Sequence, residues 1–263
     1  MGLRGDTAAL FDLNDRAAIV TGGTRGIGRA IALALAEAGA RVLVSSEDPQ
    51  ACDAVAGELA ARGLDVQGLS CDLSRPGGVV AFVEQAATRL GRLDILVSNA
   101  GIPGPVGALA AATPAEIDAV LDINLRSAMA LSGAAIPHIV RQGGGSVLFI
   151  ASIAGLRGNK AIGLYGISKA AVAQLARNLA VEWGPQGVRA NAISPGLIAS
   201  EFSRGMMAND ALMERRLSLT PLRRVGRAEE IAAAALFLVA PGGAFVTGQN
   251  LVIDGGTLVS DGN

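Results

Sequence analysis

"IVTGGTRGIGRA", residues 19–30, is the stretch on which the fold reading turns. Three β-branched residues run into a glycine-rich turn, and a helical pattern follows over 27–38, closed by Gly39. A strand that enters such a turn and opens a helix brings backbone close to a ligand. The first helical N–H groups have no intrahelical partner and lie at the positive end of the helix, which suits a pyrophosphate. The plainer alternative is a tight strand–helix turn with no ligand.

The same alternation continues along the chain. Apolar runs at 17–20, 41–44, 65–70, 94–98, 146–152, 188–194 and 250–254 read as strands. Helical patterns at 27–38, 51–63, 79–90, 114–141 and 165–183 separate them, with a bend expected at Pro137. This order predicts an α/β protein with a tail over 1–10 and a single doubly wound domain over 11–263. Its seven-stranded parallel sheet would carry helices on both faces. Ligands of such sheets bind at the carboxyl ends of the strands, where strand order switches.

Composition narrows the function classes. Charged residues are 17% and hydrophobic residues 51%, which argues against disorder, and a net charge of −1 gives no general attraction to nucleic acid or anionic membrane. Residues 1–15 lack an apolar core of signal-peptide length, and Asp6 breaks the myristoylation pattern. The longest apolar run, 231–240, is too short to span a bilayer. Cys52 and Cys71 have neither metal-ligand spacing nor the density of a disulfide framework, and His138 reads as a packing or surface residue. The expectation is a soluble cytoplasmic protein with no metal site and no membrane or nucleic-acid partner.

"YGISK", residues 165–169, points to chemistry. Tyr165 is the only tyrosine, and Lys169 is one of two lysines in the chain. On a helix, residues i and i+4 share a face, so both side chains address one place.

Taken together, these motifs resemble the short-chain dehydrogenase/reductase family, over roughly residues 11–256. Thr21-Gly22 with Gly26 and Gly28 matches its TGxxxGxG pattern, "SNAG" (98–101) is similar to NNAG, and "YGISK" to YxxxK. The likeness is to 3-oxoacyl-carrier-protein reductase-like members. It implies a Rossmann-type domain, a nicotinamide dinucleotide (NAD or NADP), and interconversion of a small alcohol and its ketone. Asn124, Ser152, Tyr165 and Lys169 would form the catalytic tetrad. Tyr165 is then the acid in reduction and the base in oxidation, its pKa of about 10 lowered by the Lys169 ammonium together with the oxidised nicotinamide. Ser152, expected to end a strand, would bond the substrate oxygen, and Asn124 would hold a water linking Lys169 to solvent.

The resemblance also implies the cofactor residues. Gly22, Thr24, Arg25, Gly26, Ile27 and Gly28 would hold the pyrophosphate turn, Ser46 and Glu47 the adenosine ribose, and Asp72 and Leu73 the adenine. Asn99, Ala100 and Gly101 would meet the central ribose together with Tyr165 and Lys169. Pro195, Gly196, Ile198 and Ser200 would meet the nicotinamide end. Arg25 favours NADP and Glu47 repels a 2′-phosphate, so the balance leans weakly to NAD. A lid is expected over about 198–221, carrying Met206, Met207, Leu212 and Met213 beside a basic cluster of Arg215, Arg216, Arg223, Arg224 and Arg227. Arg223 replaces a common glycine and Ala228 a common proline. A homo-oligomer, most simply a tetramer, is implied too. Two other classes stay open: a dinucleotide-binding sensor or scaffold without chemistry, and a nucleotide-sugar epimerase or dehydratase. The intact Tyr165–Lys169 pair weighs against the first and the short chain against the second.

Overall fold

The central strands are mostly apolar runs because both of their faces are covered. In the computed structural model, which describes residues 5–260, a one-turn helix α1 (Asp6–Ala9) precedes β1 (Ala17–Thr21), α2 (Gly26–Glu37), β2 (Arg41–Ser45), α3 (Pro49–Ala60) and β3 (Val66–Gly68). The chain then forms α4 (Pro76–Leu90), β4 (Ile95–Ser98), α5 (Pro114–Leu121), a π turn at Asp122–Arg126, and α6 (Ser127–Arg141). β5 (Gly145–Ile150), α7 (Gly163–Trp183) and β6 (Val188–Pro195) follow, then α8 (Arg204–Met207), α9 (Asp210–Ser218), α10 (Ala228–Val239) and β7 (Asn250–Ile253). All seven strands pair in parallel, in the order β3-β2-β1-β4-β5-β6-β7. Strand order reverses between β1 and β4, so the ligand crevice lies beyond Thr21 and Ser98.

Side chains alternate strictly between two cores. Ile19, Leu43, Leu96, Val147 and Phe149 join α4, α6 and α7 on one side. Val20, Val42, Val97, Leu148 and Ile193 join α2 and α10 on the other, with Val55 and Leu59 of α3. A one-residue slip in any strand would exchange the two sets, so register is fixed by packing. Helix starts follow local chemistry: the Asp48 carboxylate accepts from the N–H groups of Gln50 and Ala51, and Thr113 with Glu116 forms a capping box on α5.

Several elements depart from the sequence reading. The run at 231–240, which had no place among the expected elements, is α10, and it packs on α2. Helix α6 continues through Pro137, and the departure from α geometry is the π turn, which carries Asn124. Helix length and apolarity over Pro114–Arg141 would suffice for a membrane span, yet Leu131, Ala135, Ile136 and Ile139 are core residues. β5 stops at Ile150, two residues before the expected end at Ser152. The expected tail is described from residue 5, and its Leu10 carbonyl accepts from the Gly242 N–H (2.7 Å). Residues 1–4, and 261–263 at the end of the expected domain, lie outside the described residues.

The amino ends of the central strands are tied at Asp94, which is 1% exposed. Its carboxylate accepts from the Ala17 N–H (2.9 Å), from Arg16 (2.9 Å) and twice from Arg92 (2.8 and 2.7 Å). Burial pushes this carboxyl up, but the bonds from Arg92, Ala17 and Arg16 outweigh it and hold the group below its ordinary value. Removing the charge leaves Arg92 and the strand end unpartnered. Asp94→Ala is expected to cost about 3–5 kcal/mol in urea unfolding at neutral pH. Because the folded-state pKa is the lower one, the wild-type advantage should shrink as pH falls below the free carboxylate value of 3.8.

Candidate active site

The glycine turn is shaped by what it must touch. A Cβ on Gly28 would overlap the Gly22 carbonyl and stand 2.5 Å from Asn99 Nδ2. Gly22 itself has φ 61°, and a Cβ there would stand 2.7 Å from the same nitrogen. Asn99 Nδ2 donates to the carbonyls of Thr21 (3.0 Å) and Gly22 (3.1 Å), while the Thr21 hydroxyl accepts from the Asn99 N–H (3.1 Å). The ends of β1 and β4 are thereby clamped at the switch point. Helix α2 has no side-chain cap, unlike α3 and α5, so its first N–H groups face the turn unpaired. That end of the site fits a pyrophosphate. Farther along, a Cβ on Gly101 would crowd Asn124 Oδ1 (3.1 Å) and Lys169 Nζ (3.2 Å), so glycine leaves this cradle its room.

At the adenosine end, the Cys71 N–H donates to the Ser46 carbonyl (2.8 Å), which brings Ser46, Glu47 and Asp72 to one rim. Glu47 is exposed and forms no ion pair among the described residues. Ser46 is tied to Asp48 and Cys52, and Asp72 accepts from Ser74 and pairs with Arg75 (3.0 Å). Two expectations change here. Leu73 packs into the α4 side of the core, so it can serve an adenine only through its backbone. Arg25 is engaged by the lid: its guanidinium reaches Glu201 at the lid's start (3.4 Å).

The reacting end lies where β5 meets α7. Gly155 and Gly166 permit the contact, since a Cβ on either would stand 2.6 Å from the opposing backbone. Ser152 caps the short 3-10 turn Ile153–Gly155 rather than ending β5, because its oxygen accepts from the Ala154 N–H (3.1 Å). Its hydroxyl also acts on the Tyr165 phenol, favouring the phenolate. Lys169 is 4% exposed; Nζ donates to the Ile150 carbonyl (2.7 Å) and lies 5.7 Å from the Tyr165 ring centroid. Burial pushes the phenol up to about 12, with Ser152 opposing it, and pushes the ammonium down to about 8. Within the protein itself, desolvation of the phenolate is the larger effect.

Asn124 differs from expectation as well. Both amide hydrogens are committed, to the Ile102 carbonyl (3.0 Å) and Ser168 Oγ (3.0 Å), and Oδ1 accepts from the Ile102 N–H (2.8 Å). Ser168 in turn donates to the Tyr165 carbonyl (2.8 Å). Asn124 is thus a clamp between the loop after β4 and α7, with one acceptor lone pair left for a water. The π turn supplies the offset that aims it there. Ser168 escaped sequence reading because nothing separates a buried helix serine from a surface one.

The nicotinamide end is built around β6. The Gly196 N–H donates to Ile253 (2.8 Å), Ile198 is buried and bridges Gly226, and Ser200 caps the next turn beside Gly26. The segment 198–221 forms no strand and folds into α8 and α9. From it Phe202 lies against Tyr165, with ring centroids 5.8 Å apart, a contact that sequence did not single out. The basic cluster is only partly solvated. Arg224 binds Glu230 through both terminal nitrogens, Arg227 approaches the same carboxylate (3.9 Å), and Arg223, at φ 53°, donates to the Ser218 carbonyl.

Comparison with known proteins agrees with this geometry. A family model described as Enoyl-(Acyl carrier protein) reductase matches residues 22–257. The chain belongs to the short-chain dehydrogenase/reductase family. An uncharacterised oxidoreductase of Mycobacterium tuberculosis is 41% identical over 248 residues, 94% of each chain. Dehydrogenase/reductase SDR family member 4 of Oryctolagus cuniculus is 37% identical, over 93% of this chain and 94% of that protein. A gluconate 5-dehydrogenase from Burkholderia cenocepacia, solved with NADP and tartrate, superposes with TM-score 0.93 at 30% identity, covering 97% of this chain and 99% of its own. A 7α-hydroxysteroid dehydrogenase solved with NADH and 7-oxo glycochenodeoxycholic acid gives 0.91 at 34%, covering 96% and 98%. This member of the short-chain dehydrogenase/reductase family is an NAD(P)-dependent oxidoreductase that transfers a hydride between the dinucleotide and a secondary alcohol or ketone.

For a short-chain dehydrogenase/reductase, a buried ammonium at this position is a stability cost held for chemistry. Lys169→Met should leave the folded protein as stable or more stable by about 1–2 kcal/mol at pH 7, measured by calorimetry. The folded lysine loses its proton near 8 and the unfolded one near 10.5, so the unfolded state binds more protons in between. Wild type should therefore gain on the variant as pH rises through that window.

Proposed function

We propose that Tyr165 exchanges the proton of the substrate oxygen while Ser152 holds that oxygen in place. The observation that carries this is the burial of Tyr165 and Lys169 side by side, with the ammonium 5.7 Å from the phenol ring centroid and anchored on the Ile150 carbonyl. When bound, the dinucleotide supplies or accepts the hydride. Gly22, Thr24, Gly26, Ile27 and Gly28 would hold its pyrophosphate, and Gly101 with Asn99 and Ala100 the ribose nearest Lys169. In reduction, Tyr165 gives up its proton to the developing alkoxide, and the Lys169 charge favours the phenolate left behind. In oxidation, the same phenolate takes the hydroxyl proton. Asn124 is a positioning residue, fixing α7 against the loop after β4. Its free lone pair would take part in a water link to Lys169.

NAD is the favoured cofactor in this reading. Glu47 is exposed and unpaired at the ribose rim, and Arg25 is drawn to Glu201 instead of the phosphate position. The domain over 11–263 would act as one catalytic unit with 198–221 as its lid. It would assemble as a homotetramer, supported by Leu251 and Val252 standing exposed on the edge strand β7, with Val181 and Phe245 exposed too. Two free thiols, Cys52 and Cys71, fit a reducing cytoplasm.

Tyr165→Phe should lower turnover by about 10²-fold or more with little change in dinucleotide affinity, measured by steady-state kinetics and fluorescence titration. Near-wild-type turnover would show that another group moves the proton. Wild type is expected to favour NAD by about five- to thirtyfold in kcat/KM, and Glu47→Arg to move that preference toward NADP. A wild-type preference for NADP beyond about tenfold would mean that Arg25 leaves Glu201 and decides the choice.

A further inference from the structure

The carboxyl end of β2 turns beside the glycine loop. The Gly23 N–H donates to the Ser45 carbonyl (3.0 Å), so the residues that follow, Ser46, Glu47 and Asp48, stand at the rim of the same crevice. The ladder between β2 and β3 ends at the Val44–Gly68 pair, and the Ser46 backbone needs other partners. Its carbonyl accepts from the Cys71 N–H (2.8 Å), and its own N–H donates to Cys52 Sγ (3.2 Å).

Cys52 lies in the first turn of α3 and is 1% exposed. Its thiol reaches all three polar atoms of Ser46. Besides accepting from the N–H, Sγ lies 3.4 Å from the hydroxyl and donates toward the carbonyl at 3.8 Å. Gly68 makes this approach possible, because a Cβ there would stand 2.7 Å from the Cys52 backbone. The Ser46 hydroxyl meanwhile donates to the Asp48 carbonyl (3.1 Å) and accepts from the Asp48 N–H (3.3 Å), and the Asp48 carboxylate caps α3. Turn and helix are thus one hydrogen-bonded unit. Glu47 is the side chain this unit leaves exposed, with no ion pair among the described residues. Cys71, by contrast, holds Ser46 through its backbone, while its side chain packs into the core on the α4 side.

We propose that Cys52 is a positioning residue for dinucleotide selection, holding the Ser46–Glu47 turn in the shape that reads the adenosine ribose. The proposal rests on the reading above that this rim receives the ribose, and it adds the group that fixes the shape of the rim. A buried thiol suits the task. It packs as a small apolar group and still offers a weak acceptor, so it satisfies a backbone N–H at little desolvation cost. Without the sulfur, the Ser46 N–H would be a donor with no acceptor, and the turn would shift to satisfy it. Moving the turn moves Glu47 and the Ser46 hydroxyl, and hydrogen bonds to ribose hydroxyls weaken steeply with misalignment.

Two variants test it beside Glu47→Arg, with NADH and NADPH affinities measured by fluorescence titration at one ionic strength. Cys52→Ala removes a single atom from a helix that alanine favours, so the fold is kept. It should weaken NADH about three- to tenfold, the range of one hydrogen bond, and NADPH by less than about twofold. The two differ because only NADH gains from the carboxylate that the turn holds in place. Cys52→Ser, which keeps an acceptor, should bring NADH affinity back to within about twofold of wild type. Unchanged NADH affinity in Cys52→Ala, equal weakening of both dinucleotides, or a serine variant no better than alanine overturns the proposal. The same titrations separate it from the reading on which it rests. If Glu47→Arg moves the preference and Cys52→Ala does not, the rim is the ribose site and Cys52 has no part in shaping it. If Cys52→Ala moves the preference and Glu47→Arg does not, the turn selects through Ser46, and the role read for Glu47 falls while that of Cys52 stands.

Discussion

The meeting of Gly22, Gly28 and Asn99 at the strand-order switch is the constraint from which the site follows. With any side chain at Gly28, α2 would be pushed from the turn, and the Asn99 amide could no longer reach the carbonyls of Thr21 and Gly22. The parallel sheet makes this corner a crevice, since connections leave β1 and β4 in opposite directions there. What the crevice offers is backbone: N–H groups at an uncapped helix start and a floor without side chains. Chemistry then has to come from the next strand over, where β5 delivers Ser152.

Around that corner, charge is held at unequal costs. Asp94 is buried at the amino end of the sheet and fully compensated by Arg92, Arg16 and a backbone N–H, so it stabilises the strands. Lys169 is buried at the carboxyl end with one backbone carbonyl as its partner, and burial lowers its proton affinity. The first arrangement suits a structural charge and the second a charge needed for reaction, because an under-compensated ammonium interacts most strongly with whatever anion appears beside it.

The order of elements and the identity of the reactive pair were legible in the amino-acid sequence. Alternation of apolar runs with helical patterns is a local property, and a two-sided buried strand must be an apolar run. The spacing of Tyr165 and Lys169 is likewise local, since one helical turn sets it. The spacing of the glycines at 22, 26 and 28 is local too, although what Gly22 and Gly28 must make room for, the Asn99 amide, lies far along the chain.

Partners were not legible, because they are chosen by pairs of residues far apart in the chain. Arg25 sits in the cofactor turn by sequence, yet it turns to Glu201, and only the fold of the lid brings that carboxylate near. Asn124 reads as a polar helix residue, and the π turn decides that both its amide hydrogens are spent on Ile102 and Ser168. How far burial raises the Tyr165 phenol depends on how deeply the ring is enclosed, which no spacing records. Sequence by itself determined which residues could react and where along the chain they lie. Tertiary structure decided how exposed each one is and what it touches, because burial and long-range contacts are set by the packing of the whole sheet and its helices.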